Sequence, residues 1–178
     1  MKKIAFRLIL ISLVSIYFFS AMHSLYQVHK SIYYDNKQLS KDYVEWEEVR
    51  SNIKNYINLS LADKIAEGED FKKSGQLGLL VAGLAGKFAE HAVDTYINPE
   101  GLSFLIKNSS KSSKIPEPSL GTLFAGISSM NFDSLSSFHV ELKSDGQKIP
   151  VRFRRVGFKW KIEQIEFSDD LIIKLIKK

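Results

Sequence analysis

The chain opens MKKIAFRLILISLVSIYFFSAM, and no other stretch restricts the fold so strongly. Lys2, Lys3 and Arg7 precede an uncharged apolar run of 15 residues, Leu8 to Met22. A basic flank followed by such a run is the pattern of a signal peptide or an uncleaved signal-anchor. A full bilayer span takes about 20 residues. Ile4, Ala5 and Phe6 lengthen the run if Arg7 carries its charge back toward the headgroups. The cleavage signal is poor, because Ser20-Ala21-Met22 ends in a bulky side chain, although a cut after Ala21 is compatible with it. Residues 1–23 are therefore expected to be a signal-anchor or signal peptide. The positive flank stays in the cytoplasm, so the expected location is inner membrane-anchored, with the bulk of the chain periplasmic or otherwise extracytoplasmic.

With 178 residues, the remainder is sufficient for one domain. An apolar share of 44% and a charged share of 25% suit a packed core and argue against general disorder. The chain has no cysteine, which excludes disulfides, thiolate nucleophiles, cysteine-bearing zinc sites and a lipid-modified N-terminal cysteine. The net charge of +5 is placed unevenly. Residues 148–178 hold nine Lys/Arg against four acids, whereas residues 1–147 balance at 16 against 16. An anionic partner is therefore sought at the C-terminal segment.

Beyond the leader, residues 24–167 read as one exported domain. Helix-compatible sequence continues through about Tyr34, with Leu25, Val28 and Ile32 on one stripe. Asp35-Asn36 supplies turn chemistry, and a short helical piece follows. Trp46, Val49, Ile53, Tyr56/Ile57 and Leu61 then repeat at three and four residues, the helical period, up to Gly68. In FKKSGQLGLLVAGLAGKFAEHAVDTYI, the residues Leu77, Leu80/Val81, Leu84, Phe88, Ala92 and Tyr96 form an apolar stripe. Ser74, Gly78, Ala82 and Gly86 form a second stripe of small residues. A run of 12 uncharged residues there, Gly75 to Gly86, is too short to cross a bilayer, and it reads as a buried core helix or an interfacial one. INPEGLSFLI is a helix boundary: Asn98 is the N-cap, Pro99 the first helical residue, and Glu100 sits where the helix dipole favours a carboxylate. The Ser/Lys/Pro-rich residues 107–119 are expected to be a mobile loop.

From Phe138 onward the period changes to two. Phe138, Val140 and Leu142 alternate with polar residues, Ser144-Asp145-Gly146-Gln147 is a hairpin signal, and Ile149, Val151 and Phe153 continue the alternation. Val156-Gly157 turns the chain into Phe158, Trp160 and Ile162. Ile165 is out of phase with Ile162, which predicts a β-bulge near Glu163-Gln164. The expectation is a three-stranded antiparallel meander with one apolar and one basic face. Residues 168–178 read as a short C-terminal helix or tail. The fold class is α+β: an N-terminal membrane helix, then helices packed on a C-terminal antiparallel β-meander.

The order of these segments resembles the bacterial family called domain of unknown function 2939. The residues that carry the resemblance are Val49-Arg50, Pro99-Glu100-Gly101-Leu102 and Trp160 within FKWKIEQIEF, and the likeness extends over about Tyr26 to Phe167. Asn98 stands where the family has Thr; either residue caps a helix. The resemblance implies a bacterial envelope protein and no assigned reaction. Helices followed by a meander also look like the cone-shaped NTF2-like fold, an analogy of shape alone.

Catalytic patterns are largely absent. VAGLAGKF fails as a phosphate loop, because Val81 and Phe88 occupy positions that need Gly and Ser/Thr. GISSM lacks the closing glycine of a nucleophile elbow. His23, His29, His91 and His139 include no pair at three or four residues, so no helical metal-ligand spacing exists and no metal or cofactor is expected. His139 projects from a polar strand face and is expected to be solvated or hydrogen-bonded. A concave pocket would draw on Asp42 with Tyr43 or Tyr56 as acid/base groups; otherwise Asp42 positions the next helix and the tyrosines pack. Arg50 either pairs with a buried carboxylate or with Glu100, or binds an anion. Arg152, Arg154, Lys159 and Lys161 form a basic sheet face, a candidate for anionic lipid or an acidic envelope partner. That face has no aromatic platform, so nucleic acid is not an expected partner. Two functions remain: a non-catalytic membrane-tethered module that binds an envelope partner, lipid or apolar ligand, or a small-pocket enzyme of NTF2-like shape.

Overall fold

The computed structural model describes residues 2–67, 83–84, 86–101, 115–144 and 147–166. Among the described residues, six helical segments and four strands follow one another: α1 (Lys2–Tyr33), α2 (Lys37–Tyr43), α3 (Trp46–Glu67), α4 (described over residues 86–96), α5 (described over residues 99–101), α6 (Leu120–Gly126), β1 (Ile127–Ser134), β2 (Ser137–Ser144), β3 (Gln147–Val156) and β4 (Lys159–Ile165). The strands form one antiparallel sheet in the order β1-β2-β3-β4. The α+β class is as expected, but the sheet has four strands where the period predicts three. β1 escapes the pattern because its register to β2 shifts twice, between Ile127 and Ser129 and between Phe132 and Ser134. Each shift interrupts the two-residue alternation that marks a half-buried strand. The bulge near Glu163 is present: Ile162 pairs with Phe153 and Gln164 with Arg152, leaving Glu163 as the extra residue. It returns Ile165 to the apolar face opposite Val151.

The core lies between that face and the helices. Trp160, Phe138, Phe153, Val49 and Val140 are its largest fully buried apolar side chains. Phe138 and Phe153 are cross-strand partners with stacked rings, 4.7 Å between centroids. Trp160 meets Phe138 edge-on at 5.1 Å. α3 presents Val49, Ile53 and Ile57 to this core, the stripe its period predicts. α4 differs from expectation. Its buried residues are Ala89 and Val93, followed by Ile97, while Leu84, Phe88 and Tyr96 of the expected stripe face outward. Phe158 is a second correction: its phase matches Trp160 and Ile162, yet it lies in the β3–β4 turn, 92% exposed. The turn is allowed by Gly157, whose φ of 62° is cheap only without a Cβ.

α1 runs unbroken across the expected 23/24 border between leader and domain. Its apolar side chains from Ile4 to Ile16 are exposed, whereas Ala21, Met22, Ser24 and Leu25 are buried against the sheet. Asp35, at φ 51°, and Asn36 end the helix region and start the next; the Asn36 side chain caps α2 by accepting from the Leu39 N–H at 2.9 Å. The chain then passes the free edge of β4. Val44 bridges Ile162, and the Glu45 N–H donates to the Ile162 carbonyl at 2.8 Å. This cover, and the bulge, protect an edge that would otherwise offer unpaired backbone groups.

The 97–101 boundary is built as its sequence predicts. The Asn98 side chain accepts from the Gly101 N–H at 2.7 Å and so caps α5. Gly101 is required for a steric reason: a Cβ there would lie 2.4 Å from the Tyr96 carbonyl oxygen and 2.6 Å from its Cα. Backbone cannot yield cheaply, so Gly101→Ala is expected to destabilise the protein by about 1–3 kcal/mol, measurable as a lower denaturant midpoint. The small-residue positions Ser74, Gly78 and Ala82, residues 107–114 of the expected loop and the tail 168–178 lie outside the described residues. Of the remaining loop positions, the Pro116 carbonyl is 3.0 Å from His29 Nε2, and Ser119 forms a capping box with Thr122 at the start of α6.

Candidate functional site

The basic strands run beside α2, the start of α3 and the link between them, which bring Asp42, Glu48 and Glu45, while β4 itself supplies Glu163. Arg154 Nε lies 2.8 Å from Glu163 Oε2, and its terminal nitrogen 3.8 Å from Glu48. Lys161 Nζ is 2.9 Å from Glu45 Oε1. Lys159 Nζ is 3.6 Å from Asp42 Oδ2 and sits 5.2 Å over the Tyr43 ring. Three cations thus meet four carboxylates. Arg152 stands on the same outward face beside His139 and Gln164, with no ion pair among the described residues. Pairs open to solvent are worth only about 0–1 kcal/mol each; Lys161 and Glu45 are half-buried, and the pairs of Lys159, Lys161 and Arg154 with Asp42, Glu45 and Glu48 link the strands to α2, α3 and the chain between them. An incoming anion at Arg154, Lys159 or Lys161 has to compete with these carboxylates.

The outward sheet face continues the same way. His139 Nδ1 is 2.8 Å from Asp133 and its Nε2 is 3.3 Å from Asn131, so the imidazole is hydrogen-bonded. Lys148 donates to Glu141 at 2.8 Å. That bond, followed by one from Ser129, holds the Glu141 carboxyl below the ordinary carboxylate range.

The pocket candidates separate. Asp42 and Tyr43 end α2 and share Lys159, and Tyr43 is buried with its ring 6.5 Å from that of His23. Arg50 faces α4 instead. It donates to the Ile97 carbonyl at 3.3 Å, pairs with Glu47, and approaches Asp94 at 3.9 Å. Lys54 holds the same Asp94 at 2.7 Å. Asp94 therefore bridges two cations of α3, and Arg50 works as a clamp between α3 and α4. Glu100, the other carboxylate considered for Arg50, lies 4.0 Å from Lys37. Tyr56 is exposed farther along α3. No partner among the described residues is common to the α2 pair and Arg50. Because Glu100 is exposed and its helix is capped by Asn98, Glu100→Gln is expected to leave stability within about 0.5 kcal/mol, checked by thermal melting of both forms.

The contact that no local pattern announces is the seam between α1 and the sheet. Trp160 donates twice to α1: its indole N–H to Ser20 Oγ at 2.9 Å, and its backbone N–H to Ser24 Oγ at 3.3 Å. Tyr17 stands at the end of this seam. Its ring lies 5.3 Å from both Phe132 and Trp160, and its hydroxyl donates to the Ser134 carbonyl at 3.2 Å. The Arg155 guanidinium covers Tyr17 and Trp160 at 5.9 and 5.8 Å. Ser20 and Ser24, one helical turn apart in an apolar stretch, are the only local hint of a polar docking line.

The sequence profile of a family described as protein of unknown function (DUF2939) matches residues 10–105. That is more than half of the chain. The chain belongs to the DUF2939 family. The DUF2939 match begins inside α1 and ends just past the Pro99-Glu100-Gly101 turn. It therefore starts earlier than the likeness read from Tyr26 and does not reach the Trp160 strand. Neither a curated protein nor a solved structure matches this DUF2939 chain.

Proposed function

We propose that the protein is a membrane-tethered, non-catalytic module of the bacterial envelope, with α1 as an uncleaved anchor and the α+β domain on the extracytoplasmic side. One observation carries this reading: α1 is a single helix, apolar and exposed in its first half and built into the core in its second. It is long and apolar enough to cross a membrane. A disposable leader has no reason to supply Ala21, Ser20 and Tyr17 to the domain. The family match, which begins at residue 10, includes most of that helix. The basic N-terminal flank supports the outward orientation.

The domain then serves to hold an envelope partner, an anionic lipid or an apolar ligand close to the membrane. Arg152 is the cation on the outward sheet face best placed to meet an anionic group. The enzyme alternative draws no support from the geometry, since Asp42 and His139 engage different partners on α2–β4 and β1–β2.

The test uses the full chain. A reporter enzyme that is active only outside the cytoplasm is fused after Lys178, and the extracted protein is sized by mass spectrometry. The reading expects an active reporter and an intact N-terminus. An inactive reporter on an expressed full chain, or a mature chain that begins at Met22, would refute it.

A further inference from the structure

The free part of α1 is too short for the bilayer that the anchored reading, on which this inference rests, makes it cross. Residues 4–16 rise only about 20 Å at 1.5 Å per residue, against a hydrocarbon core of about 30 Å. Extending the apolar stretch to the exposed Phe18 and Phe19 brings it to about 24 Å, and any tilt shortens it further. The hydrocarbon layer must therefore reach at least the level of Phe18 and Phe19, where α1 already touches the sheet.

What lies at that level is distinctive. Phe18 contacts Phe132 with ring centroids 6.3 Å apart. The Tyr17 hydroxyl is bonded to the carbonyl of Ser134, the residue before Leu135. Leu135 sits in the β1–β2 turn, 83% exposed, and Phe158 in the β3–β4 turn, 92% exposed. The two turns are neighbours, because the Arg155 N–H donates to the Ser136 carbonyl at 2.8 Å. Both tips thus present a large apolar side chain beside the exit of α1. Arg155 belongs to the same end: its Nε donates to the Gly157 carbonyl at 3.3 Å, and among the described residues no carboxylate pairs with it. Tyr17 and an unneutralised guanidinium are side chains favoured at a headgroup layer.

We propose that the β1–β2 and β3–β4 tips dock into the bilayer that α1 crosses, with Leu135 and Phe158 entering its interfacial layer and Arg155 meeting lipid phosphate. The domain is then seated on the membrane rather than swinging from its anchor. A bilayer surface would cover the Leu135 and Phe158 side chains that the two turns leave exposed.

The experiment places the full chain in vesicles of phosphatidylethanolamine and phosphatidylglycerol. The chain has no cysteine, so Leu135→Cys, Phe158→Cys, Ile11→Cys and Lys143→Cys each accept one environment-sensitive fluorophore, with nitroxide lipids as quenchers. Each tip variant keeps the other tip, and both replaced side chains lie outside the core. Lys143 is exposed near the opposite end of the sheet. The expected result is a blue shift and loss of fluorescence at 135 and 158, as at 11, with neither at 143. Labels at 135 and 158 that behave like the one at 143, while 11 is quenched, overturn the docking and leave the anchor intact. An unquenched label at 11 overturns the anchor itself and the docking with it.

Discussion

Removing residues 1–21 is expected to destabilise the folded domain by about 3 kcal/mol or more. The cut falls after Ala21, the position considered above for leader cleavage, yet it passes through the core. It deletes Ala21, which is fully buried, and Tyr17, which covers the Trp160 ring. It removes Ser20, the acceptor of the Trp160 indole N–H. Met22, Ser24 and Leu25 remain but fall in the first turn of a shortened helix, where the backbone N–H groups have lost their intrahelical partners. The measurement is denaturant unfolding of the full chain and of the chain beginning at Met22, in the same mild detergent, followed by tryptophan fluorescence. A truncated chain with an unchanged midpoint would show that α1 is only a tether.

Replacing Trp160 by alanine should cost about 3–5 kcal/mol, lowering Tm by on the order of 10 °C. The indole is wholly buried and touches Tyr17, Phe132 and Phe138. Trp160→Phe separates packing from hydrogen bonding. It keeps an aromatic ring but loses the indole donor, and Ser20 still donates to the Tyr17 carbonyl at 2.6 Å. Its expected cost is therefore smaller, about 1–2 kcal/mol. Equal losses for the two variants, read from thermal melts by circular dichroism, would mean that ring packing contributes little and the seam depends on its polar contacts.

The meander was legible because a two-residue period and a solvent-facing side leave few alternatives. The Asn98 cap and the Glu163 bulge were legible for a similar reason: each depends on residues within three or four positions. The burial of α4 was not. The apolar stripe read from its sequence runs through Phe88 and Tyr96, whereas packing buries Ala89, Val93 and Ile97 and leaves Phe88 73% exposed. The basic strip was legible as a row of cations on alternating positions, but the acids that meet it come from elsewhere. Lys161 finds Glu45 and Arg154 finds Glu48 because residues 44 and 45 lie along the edge of β4. The partner of Arg50 was missed likewise, since Asp94 reaches it only when α4 lies against α3.

By itself the sequence determined the long apolar N-terminal helix, the α+β class, the strand alternation and the capped turn at Asn98, all consequences of period and local chemistry. Tertiary structure alone decided that one helix both leaves the domain as an apolar rod and enters its core. Ser20 and Trp160 meet across 140 positions of chain, and no local period carries information over that distance. Phe158 shows the same division. Its phase is a property of the strand, but its exposure follows from where the sheet ends and the turn at Gly157 begins.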